Sequence, residues 1–352
     1  MGEKKLNAYI YPNTKIRVNK ELYNPYIDDL VQAFGNYFHF LNAGDKTNKG
    51  ILNMLFYFRR TDILFLNWIE NLPDKRFGTL QSALFILLLY AYKLSGKKVI
   101  WTVHNKESHN NRGQFMKNLF FRLLPLKTDK MITHSTEGIT YIETIAPGMG
   151  HKVMYFPHPV KNRMNLKKNN QPTIDILIWG TIAEHKAIDK FLAYLYEQKL
   201  ENKYAIHIIG KIYSPDYADV IMKYANDKII IENRFATQSE LSELINQSSI
   251  ILFTYESKYV LSSGVLMDTI AQGGFSVGPC TGAFSDLEKE GIVKTFSSYP
   301  ELISIINEKT NAPSVSNDIF TSFITRYSWD NFARAFHHHL NSPNAISSKK
   351  KP

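Results

Sequence analysis

The feature that most constrains this chain is a rhythm. Short runs rich in β-branched and aromatic residues alternate with stretches of helical length, and the pattern is laid down twice. In the first half Asn7–Tyr11, Tyr37–Leu41, Asp62–Asn67, Lys98–His104, Lys130–His134 and Lys152–Phe156 read as strands. Asn24–Gly35, Gly50–Phe58, Gly78–Leu94, Arg112–Leu124 and Ser135–Ile145 lie between them with helical spacing. Strands that alternate with helices form a parallel sheet covered on both faces. After a polar, proline-bounded segment, Pro157-His158-Pro159-Val160 and residues 161–172, the rhythm restarts. Strands are expected at Ile174–Trp179, Tyr204–Ile209, Lys228–Glu232, Ile250–Thr254 and Phe275–Gly278, with helices near 186–200, 215–225, 238–247 and 263–272. The expected fold class is α/β, with two Rossmann-like, doubly wound domains facing a cleft.

Length agrees, because 352 residues divided by roughly 150 per domain gives about two. The expected boundaries are 1–160 and 161–325, then a helix at 326–340 crossing back to the first domain and a disordered basic tail at 341–352. The single cysteine, Cys280, can form no internal disulfide, which points to a reducing, cytoplasmic setting. The start of the chain lacks the apolar core of a secretory signal. The apolar run Ala83–Tyr92 is too short to span a bilayer, which takes roughly 20 residues. Charge is asymmetric: residues 1–160 hold 21 lysines and arginines against 12 acids, and the remainder 21 against 20. A basic half implies an anionic partner: a membrane surface, a phosphate-bearing substrate or nucleic acid. No nucleic-acid motif is present and the charge is not gathered into one segment, so nucleic acid is not expected.

In open α/β sheets ligands bind beyond the carboxyl ends of the strands, so chemistry is sought there. Strand 174–179 ends in Gly180-Thr181, with Lys186 following; the glycine permits close backbone approach and the lysine offers a point charge suited to a diphosphate. The alternative is a plain glycine turn with a surface lysine. Tyr255 follows a later strand, and Ser262-Ser263-Gly264-Val265 opens the next helix, whose free amides and dipole suit phosphate oxygens. One turn in, Asp268 is placed to accept from ribose hydroxyls, although Ser-Ser-Gly also reads as a simple helix cap. In the first half, strand 99–103 delivers His104 and Asn105 to its carboxyl end, where His104 faces a transferring sugar or serves structure alone.

These segments resemble the retaining GT-B glycosyltransferases of family 4, in particular bacterial enzymes of capsular polysaccharide and exopolysaccharide assembly. The resemblance rests on Asn24-Pro25-Tyr26, Trp101-Thr102-Val103-His104-Asn105, Phe156-Pro157-His158-Pro159, Trp179-Gly180-Thr181 with Lys186, Ser262-Ser263-Gly264-Val265-Leu266 through Gly273-Gly274, and Tyr327-Ser328-Trp329-Asp330, in the family's order across nearly the whole chain. It implies a hexosyltransferase-like enzyme whose second domain binds a nucleotide-diphosphate sugar through Gly180, Thr181, Lys186, Tyr255, Ser263, Gly264, Val265 and Asp268. His104 and Lys186 are the implied catalytic residues. The acceptor, a saccharide or lipid-linked saccharide, would sit on the first domain. The chain departs from the pattern where Thr181 and Ala183 replace the usual arginine, and where Val260 stands eight residues before Asp268 in place of the first of two glutamates.

Expelling a nucleoside diphosphate requires cations and oriented amides at the leaving phosphate. No Asp-X-Asp triplet occurs, so no cofactor or metal is expected. The resemblance implies retention of configuration; an inverting enzyme would need a base such as Glu70 or Glu107, and a catalytically reduced binding subunit is a further alternative. The cytoplasmic enzyme is also expected to sit peripherally on the anionic inner membrane surface, through the mixed basic and aromatic segment Arg112–Lys127 with its Lys117 and Arg122, with Ala83–Tyr92 and Asn53–Arg60 as further candidates for contact.

Overall fold

The computed structural model describes residues 5–13, 17–18, 21–22, 25–44, 50–106, 113–163, 172–256, 260–310 and 317–342. The chain divides into two compact units. The first runs to Pro157, residues 17–21 excepted, and resumes at Trp329; the second is His158–Ser328 with residues 17–21.

The first unit is built on β1 (Leu6–Tyr11), α1 (Tyr26–Phe34), β2 (Phe38–Phe40), α2 (Leu52–Tyr57), β3 (Ile63–Asn67), α3 (Gly78–Leu94), β4 (Lys98–Val103), α4 (Gln114–Lys127), β5 (Lys130–Thr133), α5 (Thr136–Ile145) and β6 (Val153–Tyr155). All six strands are parallel, in the order β2-β1-β3-β4-β5-β6. Every residue of β3 is buried, as expected of a strand packed on both faces. One face is closed by α1 and by the last helix, α13 (Trp329–Asn341), whose Phe332 and Phe336 rings each lie 5.2 Å from Phe34.

The second unit contains β7 (Ile174–Trp179), α6 (Ile188–Glu197), β8 (Ile206–Ile209), α7 (Pro215–Met222), β9 (Ile229–Glu232), α8 (Gln238–Asn246), β10 (Ser248–Leu252), α9 (Gly264–Ala271), β11 (Ser276–Pro279), α10 (Gly282–Lys289), β12 (Val293–Phe296), α11 (Tyr299–Thr310) and α12 (Asn317–Arg326). Its parallel sheet has the order β9-β8-β7-β10-β11-β12. This is the Rossmann order, with the switch point between β7 and β10. The expected α/β class with two Rossmann-like domains is therefore the one observed.

Two local expectations are corrected. Helices α10, α11 and α12 and strand β12 stand where no element is expected, because β12 is a four-residue edge strand interrupted by exposed Lys294 and α10 opens on Gly282 and small residues. Lys117, expected on a membrane-facing surface, is 1% exposed, with Nζ 2.8 Å from Asp74 Oδ1. It therefore anchors α4 inward. Arg112, Glu107 and residues 343–352 of the expected tail lie outside the described residues.

Candidate functional site

In the second unit the residues of interest follow β7 and β10, the two strands that flank the switch point. The chain leaves β7 through Gly180, whose φ of +91° is open to glycine and strained for other residues. A Cβ there would also lie 3.0 Å from Val265 and 3.4 Å from the Lys186 ammonium. On the adjoining strand end, a Cβ on Gly210 would strike the Gly180 carbonyl at 1.8 Å, so two glycines let the backbones cross. A short helical turn, Glu184–Lys186, then returns the chain toward the strand end and stops at Ala187, with φ of +51°.

Lys186 is not the surface lysine that a strand-end position suggested: it is 7% exposed. Its Nζ lies 5.3 Å from the centre of the Tyr255 ring, and its carbonyl accepts from the Thr254 hydroxyl. Burial pulls the ammonium down to about 7. The Tyr255 hydroxyl, whose own pKa burial raises to about 12, meets Ser263 Oγ at 3.2 Å. Ser263 caps α9 by accepting from the Leu266 amide at 3.3 Å. The first intrahelical bond uses the Met267 amide, so the amides of Gly264 and Val265 are those a ligand would meet. Gly180, Lys186, Tyr255, Ser263 and Val265 thus form one cluster, with Gly264 exposed at its edge. The Thr181 and Ser262 hydroxyl oxygens are buried with no hydrogen-bond partner among the described residues. Such orphans are costly unless a ligand or rearrangement satisfies them.

Asp268 lies one turn beyond Val265, and its Oδ1 accepts from Arg163 Nη1 at 3.1 Å. The same guanidinium nitrogen donates to Gln238 Oε1 at 3.2 Å, and the Arg163 amide to the Ala271 carbonyl at 3.1 Å. Arg163 thus sets a cation beside Asp268. Sequence reasoning missed it because it sits in the polar segment read as a linker.

In the first unit, His104 leaves the end of β4 with Nε2 3.1 Å from Asn67 Oδ1. The Trp68 indole stacks on its ring at 4.0 Å and 13°, and Tyr26 meets it edge-on at 5.0 Å. Trp68 holds this position with φ of +43°, a strained value for a bulky residue. The Tyr26 hydroxyl is 2.7 Å from His134 Nε2, while His134 Nδ1 lies 2.8 Å from the Phe156 carbonyl. A carbonyl only accepts, so Nδ1 of His134 carries a proton. The expected helix cap is present alongside, since Ser135 accepts from the Glu137 amide. Beyond His104, Asn105 Nδ2 donates to Glu70 Oε1 at 3.0 Å. Glu70 is 2% exposed, and burial pushes its carboxyl up to about 7. As a base for an inverting reaction it would first have to give up this burial. The sequence offered no signal for Asn67 and Trp68 beyond their place at the end of β3.

Comparison with protein-family models gives no match, and neither does comparison with curated protein sequences. Solved structures do match. HepE from Anabaena in complex with UDP-glucose has a TM-score of 0.70 at 11% identity, over 96% of this chain and 100% of that one. AviGT4, a glycosyltransferase involved in avilamycin A biosynthesis, has a TM-score of 0.61 at 11% identity, over 96% and 97% of the two chains. TarM of S. aureus, solved with fondaparinux, alpha-GlcNAc-glycerol and UDP, has a TM-score of 0.59 at 14% identity. The match covers 80% of this chain and only 55% of TarM. At these identities the likeness is one of fold: two Rossmann-like domains of the GT-B type.

Proposed function

We propose that the chain is a glycosyltransferase that moves a hexose-like sugar from a nucleoside diphosphate to a saccharide acceptor, with retention of configuration. The observation that carries this reading is the buried Lys186 ammonium, set between the positive-φ Gly180 and the Tyr255 ring beside the N-terminus of α9. A buried cation beside free helix amides is matched to an anion that develops charge during the reaction. Complexes of HepE with UDP-glucose and of TarM with UDP, on the same fold, support a nucleotide-sugar donor.

The diphosphate approaches the Gly180 backbone beside the Lys186 ammonium and accepts from the Gly264 and Val265 amides. Lys186 then stabilises the charge that grows on the departing phosphate, which assists deprotonation of the acceptor. Asp268, held by Arg163, accepts from the ribose hydroxyls, and Thr181 lines the phosphate path. His104, with its ring plane fixed by Trp68 and Asn67, contacts the transferring sugar. Because Lys186 and the helix amides supply the countercharge, the reaction needs no resident metal. A panel of UDP-, GDP-, ADP- and CMP-sugars tests the proposal. One donor should raise the melting temperature and be consumed with an acceptor, whereas no stabilisation by any of them would overturn it. Product stereochemistry by NMR separates retention from inversion, and donor turnover by the purified chain separates an enzyme from a binding subunit.

The proposal extends to a cytoplasmic enzyme of surface-polysaccharide assembly that meets a lipid-linked acceptor at an anionic membrane. No described helix is long and apolar enough to cross a membrane. Instead, α3 carries Leu80, Leu87 and Leu94 at 71%, 68% and 87% exposure, seven residues apart and so on one helical face. Exposed Phe77 precedes them, with exposed Lys75 and Arg76 alongside in sequence. Apolar side chains with neighbouring cations suit the boundary between headgroups and acyl chains, and each cation close to an anionic surface contributes about 1 kcal/mol. Of the expected segments, α3 with its Ala83–Tyr92 run is favoured over α4, whose Lys117 is buried.

A further inference from the structure

At the amino-terminal edge of the first unit's sheet lies a cavity of about 370 Å³ that the proposed transfer leaves unused. Five lysines line it: Lys93 in the last turn of α3, Lys98 at the start of β4, Lys127 at the end of α4, Lys130 at the start of β5, and Lys152 just before β6. Asp129 is the single acid in the wall, and it is already engaged: both its oxygens accept from Lys93 Nζ at 2.6 Å. Strand carboxyl ends, where the candidate transfer residues sit, lie at the opposite edge of such a sheet.

Local structure accounts for part of this charge. Lys152 Nζ donates to the Pro125 and Thr128 carbonyls, at 3.2 and 3.0 Å, and so serves the C-terminus of α4. Lys127 lies over the Tyr90 ring at 4.6 Å. These contacts leave the excess in place, because carbonyls and a ring face carry no net charge. Lys130 is 6% exposed, and burial together with the charge of Lys98 lowers its pKa. Lys152 is likewise lowered, first by burial, with Asp129 opposing and Lys93 adding repulsion. Concentrating like charges in a concave, partly desolvated space is unfavourable and is relieved by an anion of more than one charge.

We propose that this cavity is a binding site for a multiply charged phosphate group, a phosphomonoester or diphosphate. Lysine ammoniums are point donors that surround a tetrahedral phosphate without needing the planar geometry of carboxylate recognition. Exposed Leu126 forms part of the wall and exposed Leu94 adjoins Lys93 in sequence, so the phosphate is either free in solution or borne by a lipid headgroup. The inference does not depend on the proposed glycosyl transfer.

Calorimetric titration of the full chain with inorganic pyrophosphate at low salt tests it, alongside Lys98→Gln/Lys127→Gln and Lys186→Ala. These two lysines are chosen because Lys130 is buried and its loss could disturb folding; the melting temperature of each variant is recorded. The expected result is pyrophosphate binding that persists in Lys186→Ala, where the diphosphate site of the second unit is weakened, and a dissociation constant at the cavity raised about tenfold in the double variant. Loss confined to Lys186→Ala would place pyrophosphate in the second unit and overturn the proposal, as would a double variant that binds like the parent. In a second arm, phosphatidylcholine vesicles carrying phosphatidate are compared with vesicles carrying phosphatidylglycerol at matched surface charge. A preference for phosphatidate that the double variant loses identifies a lipid headgroup. Pyrophosphate binding without that preference identifies a soluble phosphate, and failure in both arms overturns the site.

Discussion

At the scale of single residues, Lys186 concentrates the functional argument. Its burial is unfavourable to folding, since a lysine that titrates near 7 in the folded chain and near 10.4 when unfolded binds fewer protons in the native state between those values. Lys186→Ala should therefore leave the melting temperature unchanged or raise it, while turnover falls by about a hundredfold, as when an oxyanion donor is removed. Initial rates and thermal unfolding of the same preparation check this. The same group sets a pH dependence. A diphosphate raises the pKa of Lys186, so binding takes up a proton wherever the empty site is neutral; affinity should weaken as pH rises from 7 toward 9 in the parent and much less in Lys186→Ala. Titrations in buffers of differing ionisation enthalpy read the proton directly. Asp268→Asn should weaken nucleotide binding through the ribose, with a stability change within about 1 kcal/mol because its ion pair with Arg163 is partly exposed. A 2′,3′-dideoxy analogue should bind variant and parent alike, and an equal loss with the analogue would remove Asp268 from the ribose.

Among the elements, α4 is held inward while α3 presents an exposed apolar face. The segment of α4 mixes cations with aromatics, yet Lys117 turns inward to Asp74 and Phe120 packs on Phe85 of α3 at 5.2 Å. The greasier α3 buries Phe85, Leu88, Leu89 and Tyr92 and leaves its other side apolar and exposed. Spacing in α3 made this legible in principle, because a predominantly apolar helix 17 residues long must either be buried all round or expose a greasy face. In a flotation assay, Leu87→Glu should reduce recovery with anionic vesicles about tenfold, since a charge at the centre of the apolar stripe opposes insertion. Raising salt should weaken binding only in part, because apolar burial is not screened as the cations are. Recovery unaffected by Leu87→Glu would remove α3 from the contact.

At the scale of the molecule, the first unit depends on chain from both ends of the sequence. Phe336 is buried against Phe34, Phe38 and Phe65, so Phe336→Ala should destabilise that unit by about 3–5 kcal/mol. Hydrogen exchange should accelerate in β1 to β6 and stay unchanged in β7 to β12; uniform acceleration would contradict two separate cores. The sequence by itself determined the α/β class, the two parallel sheets and most strand positions, because strand and helix periodicities are local and their alternation leaves few topologies. It also marked the strand ends where Gly180, Ser263 and His104 stand. Burial and pairing were decided only by the tertiary structure. Lys186 lies under Tyr255, Arg163 reaches Asp268 across 105 positions of chain, and Lys117 closes on Asp74. Five lysines scattered between positions 93 and 152 meet around one cavity because a parallel sheet gathers the starts of its strands at one edge. Periodicity records which face a residue occupies, whereas the charge it meets there depends on chain that arrives from far along the sequence.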